Sequence, residues 1–98
     1  MKGANAARGE VLAELAGAPR RLCLTLGALA EIEAALGATG PEALSARMRA
    51  LSARDLMAVL AALLRGGGDH LLADELAISG VQPKVAADAV AQAFVAAG

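Results

Sequence analysis

Two apolar periods succeed one another along this chain, and the change between them falls within Arg21–Gly37. Leu22 and Leu24 alternate with Arg21, Cys23 and Thr25, the two-residue period of a half-buried strand. From Leu26 onward, Leu26, Leu29, Ile32 and Leu36 fall three or four apart, which is one face of a helix, and Gly37 closes it. The segment before this run is ambiguous. Val11, Ala13 and Leu15 alternate with Glu10, Leu12 and Glu14 as in a strand, yet Ala, Leu and Glu favour helix, and Gly17 followed by Pro19 ends a helix equally well. If it is a strand, a hairpin with Arg20–Leu24 around Gly17-Ala-Pro19 sets Glu10 and Glu14 beside Arg20 and Arg21 as cross-strand charge pairs.

The rest of the chain reads as helices with clear punctuation. Pro41 in a first helical position, capped by Thr39 or Gly40, opens a helix with Leu44, Met48 and Leu51 on one face and Ser45, Arg47 and Arg49 pointing outward. Ser52 and Asp55 form a capping box, and Leu51 and Leu56 fit a hydrophobic staple. The helix they start runs to about Arg65, and its broad stripe of Leu56, Val59, Leu60, Leu63 and Leu64 makes it the expected centre of the fold. Gly66-Gly67-Gly68 ends it, Asp69 caps a short helix through Leu76, and Gly80 breaks that segment. Pro83 starts a last helix, with Ala86, Val90, Ala93, Phe94 and Ala97 inward and Lys84, Asp88 and Gln92 outward. Residues 1–8 read as a flexible lead-in and 9–98 as a single domain: 9–24 the hairpin segment, 25–98 helical.

Composition narrows the function classes. The chain is 57% apolar but has one aromatic residue, Phe94, and more than a quarter of it is alanine. Small side chains suit closely packed helices and supply few of the aromatic anchors that dominate binding hot spots. A net charge of −1 argues against general affinity for nucleic acid or anionic membrane. The longest apolar run, Leu56–Leu64, is less than half of the roughly 20 residues that span a bilayer, and Glu10 and Glu14 interrupt any signal core. The single Cys23 rules out an internal disulfide, so a soluble protein of the reducing cytoplasm is expected.

Candidate chemistry changes this picture little. The glycine triplet lacks the Gly-Lys-Ser/Thr of a phosphate loop and follows a helix instead of a strand, so it reads as a terminator or hinge. His70 with Asp69 and Asp74 is one imidazole and two carboxylates, too few for a metal site, and Cys23 reads as a packed thiol and not a nucleophile partnered by His70. Glu31 and Glu33 point different ways on a helix, and Asp74 and Glu75 are adjacent and solvated. The expectation is a protein that is not an enzyme, with no cofactor, metal or small-molecule substrate. Pro41–Arg65 also fits a helix-turn-helix with Arg47, Arg49 and Arg54 as its basic patch, but the second helix is apolar where base-reading side chains belong. Those three arginines read as a solvated face or as a partner-docking patch.

The residues Arg8-Gly-Glu-Val11, Arg21-Leu-Cys-Leu-Thr-Leu-Gly-Ala-Leu-Ala-Glu-Ile-Glu33, Leu51-Ser-Ala-Arg-Asp-Leu56 and Leu64-Arg-Gly-Gly-Gly68 resemble, in order, a small protein of the tail gene cluster of alphaproteobacterial gene transfer agents. These are phage-like particles that package host DNA. The resemblance covers roughly 8–72, and from Ala73 the chain matches only as a generic helix. It implies a mainly α (α+β) fold, a short N-terminal β-hairpin followed by about four to five helices. It further implies a tail assembly chaperone, which binds the tape-measure protein in the cytoplasm of the host cell and is absent from the mature particle. Self-association as a homo-oligomer is compatible with such a role. A structural tail tube subunit is the alternative, and a DNA-binding regulator the third reading.

Overall fold

A computed structural model describes residues 9–98; the lead-in expected over residues 1–8 lies outside them. Strands β1 (Glu10–Leu15) and β2 (Ala18–Cys23) pair antiparallel, and helices α1 (Leu26–Leu36), α2 (Pro41–Met48), α3 (Ala53–Gly66), α4 (His70–Asp74) and α5 (Pro83–Ala97) follow. A 3₁₀ turn at Leu76–Ile78 separates α4 from α5. The architecture is α+β, mainly helical.

The ambiguous first segment is a strand, but its turn is tighter than the expected Gly17-Ala-Pro19. Leu15 pairs with Ala18, leaving Ala16 and Gly17 as a two-residue loop, and Pro19 lies in β2 opposite Glu14. Ala16 and Gly17 have φ of 52° and 82°, the positive pair that a type I′ hairpin turn requires. Arg20 braces the loop, donating from Nε to the Leu15 carbonyl at 3.0 Å and from Nη2 to that of Ala16 at 3.3 Å. An alanine in the left-handed region costs about 1–2 kcal/mol. Ala16→Asn, which creates the favoured Asn-Gly loop, is therefore expected to stabilise the fold by about 1 kcal/mol. A higher denaturant midpoint at unchanged slope is the readout, and a loss would place the turn elsewhere.

Register also sorts the charges. Leu12 opposes Arg21 and Ala13 opposes Arg20, so the two arginines emerge on opposite faces. Arg21 Nε lies 3.6 Å from Glu10, as the hairpin reading expects. Arg20 is on the other face from Glu14 and reaches Asp69 at 3.2 Å instead, tying the hairpin to the start of α4.

Helix α3 is the centre of the fold. Its capping box is formed: Ser52 Oγ accepts from the Asp55 amide at 3.1 Å, and Asp55 Oδ2 accepts from the Ser52 amide at 3.4 Å. Val59 through Leu64 are all buried, because α3 is covered by β2, α1, α4 and α5. In α1 the buried face is Ala28, Ile32 and Leu36, with Leu29 half-buried. Leu26, expected on that face, is exposed. Six residues before Ile32, it sits about 120° round the helix from it. In α5 the buried residues are Ala86, Ala89, Val90 and Ala93; Phe94 is half-buried and Ala97, expected inward, is exposed in the last turn. The short helix expected through Leu76 stops at Asp74, and Leu76 belongs to the 3₁₀ turn.

The glycine triplet ends α3, as expected, and also packs against β2. A side chain at Gly66 would run into the Cys23 carbonyl oxygen and lie 3.3 Å from Ala28 Cβ. One at Gly67 would overlap the Arg21 carbonyl, 2.6 Å from its carbon. The end of α3 thus lies directly on the outer edge of β2, backbone against backbone. Gly68, at φ 93°, is the left-handed residue of a Schellman cap, in which the Asp69 amide donates to the Leu64 carbonyl at 2.8 Å and that of Gly68 to Arg65 at 3.0 Å.

Candidate partner-docking groove

Ion pairing divides the arginines into two groups. Arg20 is paired with Asp69 and Arg21 with Glu10. Arg65 donates from Nε to Glu31 at 3.0 Å and from Nη1 to Asp74 at 3.0 Å, and its Nη2 also bonds Glu31. The Glu31 hydrogen bond raises the Arg65 pKa further above its already high ordinary value. Arg47, expected to point outward, instead donates to the Leu36 carbonyl at 3.2 Å and to Asp55 at 2.9 Å. It lies in the last turn of α2, between the end of α1 and the start of α3, and clamps the three together. The Arg47 hydrogen bond, against partial desolvation and aided by Ser52, holds the Asp55 carboxyl below its ordinary range. Of the three arginines read as a docking patch, Arg47 is thus engaged within the molecule while remaining part-exposed. Arg49 and Arg54 are exposed, with no ion pair among the described residues.

The carboxylates weighed for chemistry are occupied in the same way. Asp69 caps α4 by accepting from the Leu72 amide at 3.1 Å, Glu33 accepts from the Gly40 amide at 3.1 Å, and Asp74 serves Arg65. His70 is exposed at the start of α4, whereas Cys23 is buried. No group of three or more His, Cys, Asp and Glu among the described residues is placed to hold a metal ion. No helix of the described residues is long and apolar enough to cross a membrane.

What the fold does create is an apolar groove of about 370 Å³ between the first half of α3, the 3₁₀ turn and the start of α5. Leu56, Met57, Leu60, Leu76, Val81 and Ala86 form its apolar lining, and Arg54 is the one charged residue on it. Met57, Ile78 and Val85 are large apolar side chains left exposed on the same elements. Arg54 thus lies on the groove, while Arg49 does not line it. The lining has no convergent set of polar groups of the kind that orients a small ligand. A second groove of about 420 Å³, lined by Leu29, Pro41, Leu44, Met48 and Phe94 among others, carries Glu33, whose carboxylate is already bonded to Gly40.

Sequence reasoning missed the first groove. Its walls come from segments more than twenty positions apart, Leu56 and Val81 for example, and no local period joins them. The available signal was Met57, a large apolar residue that falls outside the apolar stripe of its helix.

Comparison with known proteins gives no match to a curated protein and none to a solved structure. One family model, described as phage tail tube protein, GTA-gp10, matches residues 8–97, almost the whole chain and further than the 8–72 span of the motifs. With the hairpin, the capped central helix and the glycine-sealed strand edge all inside the matched region, the chain belongs to the phage tail tube protein, GTA-gp10, family.

Proposed function

We propose that this tail-related protein acts without catalysis in tail morphogenesis, as an assembly chaperone that holds the tape-measure protein in the cytoplasm and leaves before the particle is complete. The observation that carries this reading is the distribution of β-structure and apolar surface. Among the described residues the sheet is a two-stranded hairpin, and the end of α3 covers the outer edge of β2. A wall closed by strand pairing needs extended sheets with free edges. What the chain offers is a helix-lined groove, a surface suited to an amphipathic helix. The internal use of Arg47 speaks against the DNA-binding reading, since it leaves Arg49 and Arg54 as the unpaired cations of the proposed basic patch.

The family's description favours a second reading, a structural tail tube subunit. The two separate in one experiment. The tagged chain is co-purified with the tape-measure protein of its own gene cluster, and finished particles are probed for it. Capture of the tape measure with absence from particles supports the chaperone; many copies per particle without capture would make it a tube subunit.

A further inference from the structure

We infer that the groove between α3 and α5 seats an amphipathic helix bearing an acidic residue, its apolar face on Leu56, Met57 and Val81 and its carboxylate on Arg54. This rests on the chaperone reading and adds to it a surface and the chemistry of the tape-measure segment bound there.

Charge selects the ligand. Arg20, Arg21, Arg47 and Arg65 all find carboxylates inside the molecule, whereas Arg54 stands on an apolar groove with no carboxylate partner among the described residues. Its position is also the wrong one for stability. It is the second residue of α3, where the positive end of the helix dipole disfavours a cation. A ligand carboxylate at that point meets both the guanidinium and the helix end.

Backbone accounting selects the ligand's conformation. The Ile78 amide donates to Glu75, that of Ser79 to Leu76, that of Val81 to Ser79 Oγ and that of Ala86 to Gln82. An extended peptide would find these donors already taken, which favours a ligand that satisfies its own backbone, as a helix does. Met57, unbranched and polarisable, adapts to ridges of varied shape and suits a series of related helical segments. The groove of about 420 Å³ has no cation on its lining, and its Glu33 would repel the same ligand; a wider apolar groove of about 620 Å³ beside Val11, Leu12 and Val95 carries no charge to select one.

The test uses the full chain and overlapping labelled peptides spanning the tape-measure sequence, with binding read by fluorescence anisotropy alongside capture of the whole tape measure. An acidic amphipathic peptide is expected to bind. Arg54→Glu should weaken it about tenfold, with recovery when the peptide's acidic residue becomes Lys, and Met57→Glu should weaken it at least about tenfold. Arg54→Glu puts an anion in the first turn of a helix, so its melt should not fall, which separates lost binding from lost folding. Capture of the tape measure unchanged by both variants would overturn the groove assignment and leave the chaperone reading standing. No capture by the wild-type chain would overturn both. Self-association abolished by Met57→Glu, without peptide binding, would assign the groove to a second copy of this chain.

Discussion

Leu60→Asp is expected to unfold the domain. Leu60 is 1% exposed, in the stretch of α3 where every residue from Val59 to Leu64 is buried. Truncation to Ala at such a site costs about 2–5 kcal/mol through lost contacts and the cavity left behind. A carboxylate there is set among the apolar side chains of the core, with Arg54 on the rim of the groove that Leu60 lines and Arg65 held in the Glu31–Asp74 network. It must either ionise in an apolar core or take up a proton, and the penalty adds several kcal/mol. The total reaches much of the roughly 5–15 kcal/mol that holds a domain of this size together. Loss of the cooperative transition in circular dichroism is the predicted readout. A melt within a few degrees of wild type would mean that α3 is not the centre of the core.

Gly66→Ala should destabilise the protein, although at an open helical site the same change would stabilise it. Gly66 is the last residue of α3 and needs no unusual backbone angle, so propensity alone would favour alanine by about 1 kcal/mol. The added methyl would meet the Cys23 carbonyl, with Ala28 Cβ at 3.3 Å on another side. Backbone, not a flexible side chain, must yield, and overpacking of this kind costs about 1–3 kcal/mol. Gly67→Ala meets the Arg21 backbone in the same way and should fall at the upper end of that range. Gly68 has open space around its Cα, so alanine there costs only the left-handed conformation, about 1 kcal/mol. The ordering of the three midpoints in denaturant is the test. A rise for Gly66→Ala would show that α3 does not approach β2 so closely.

This contact also bears on assembly. The outer edge of a two-stranded hairpin is a template for pairing with another chain, and here the carbonyls of Arg21 and Cys23 face the glycine turn. A bulkier residue at Gly66 or Gly67 would both weaken the fold and uncover that edge. Aggregation alongside lower stability is the expected companion of either alanine variant.

Elements set by near neighbours in the chain were legible in the residues themselves. The Ser52–Asp55 capping box, Pro41 and Pro83 at helix starts, and the buried stripe of α3 depend on interactions within one turn or one face. Their local geometry is nearly the same in any fold. The alternation of Val11, Ala13 and Leu15 fits a strand, but the same residues favour helix, and only their pairing with β2 decides between the two. Leu26 and Ala97 lie on apolar stripes yet are exposed, because a periodic stripe carries no information about where the partner surface ends.

The tertiary structure decided what local period cannot encode. It added to the helix-terminating role of Gly66-Gly67-Gly68 a close approach to the β2 backbone, because only the docked strand reveals what lies against each Cα. It moved Arg20 from Glu14 to Asp69 through the register of the hairpin, and made the part-exposed Arg47 a clamp between α1 and α3. It left Arg54 without a carboxylate on a groove built from α3, the 3₁₀ turn and α5. Sequence determined which segments are helical and which faces are apolar, since those follow from spacing along one chain. Which apolar face stays open, and which cations stay unpaired, depended on contacts between residues far apart in sequence, fixed only once the helices had packed.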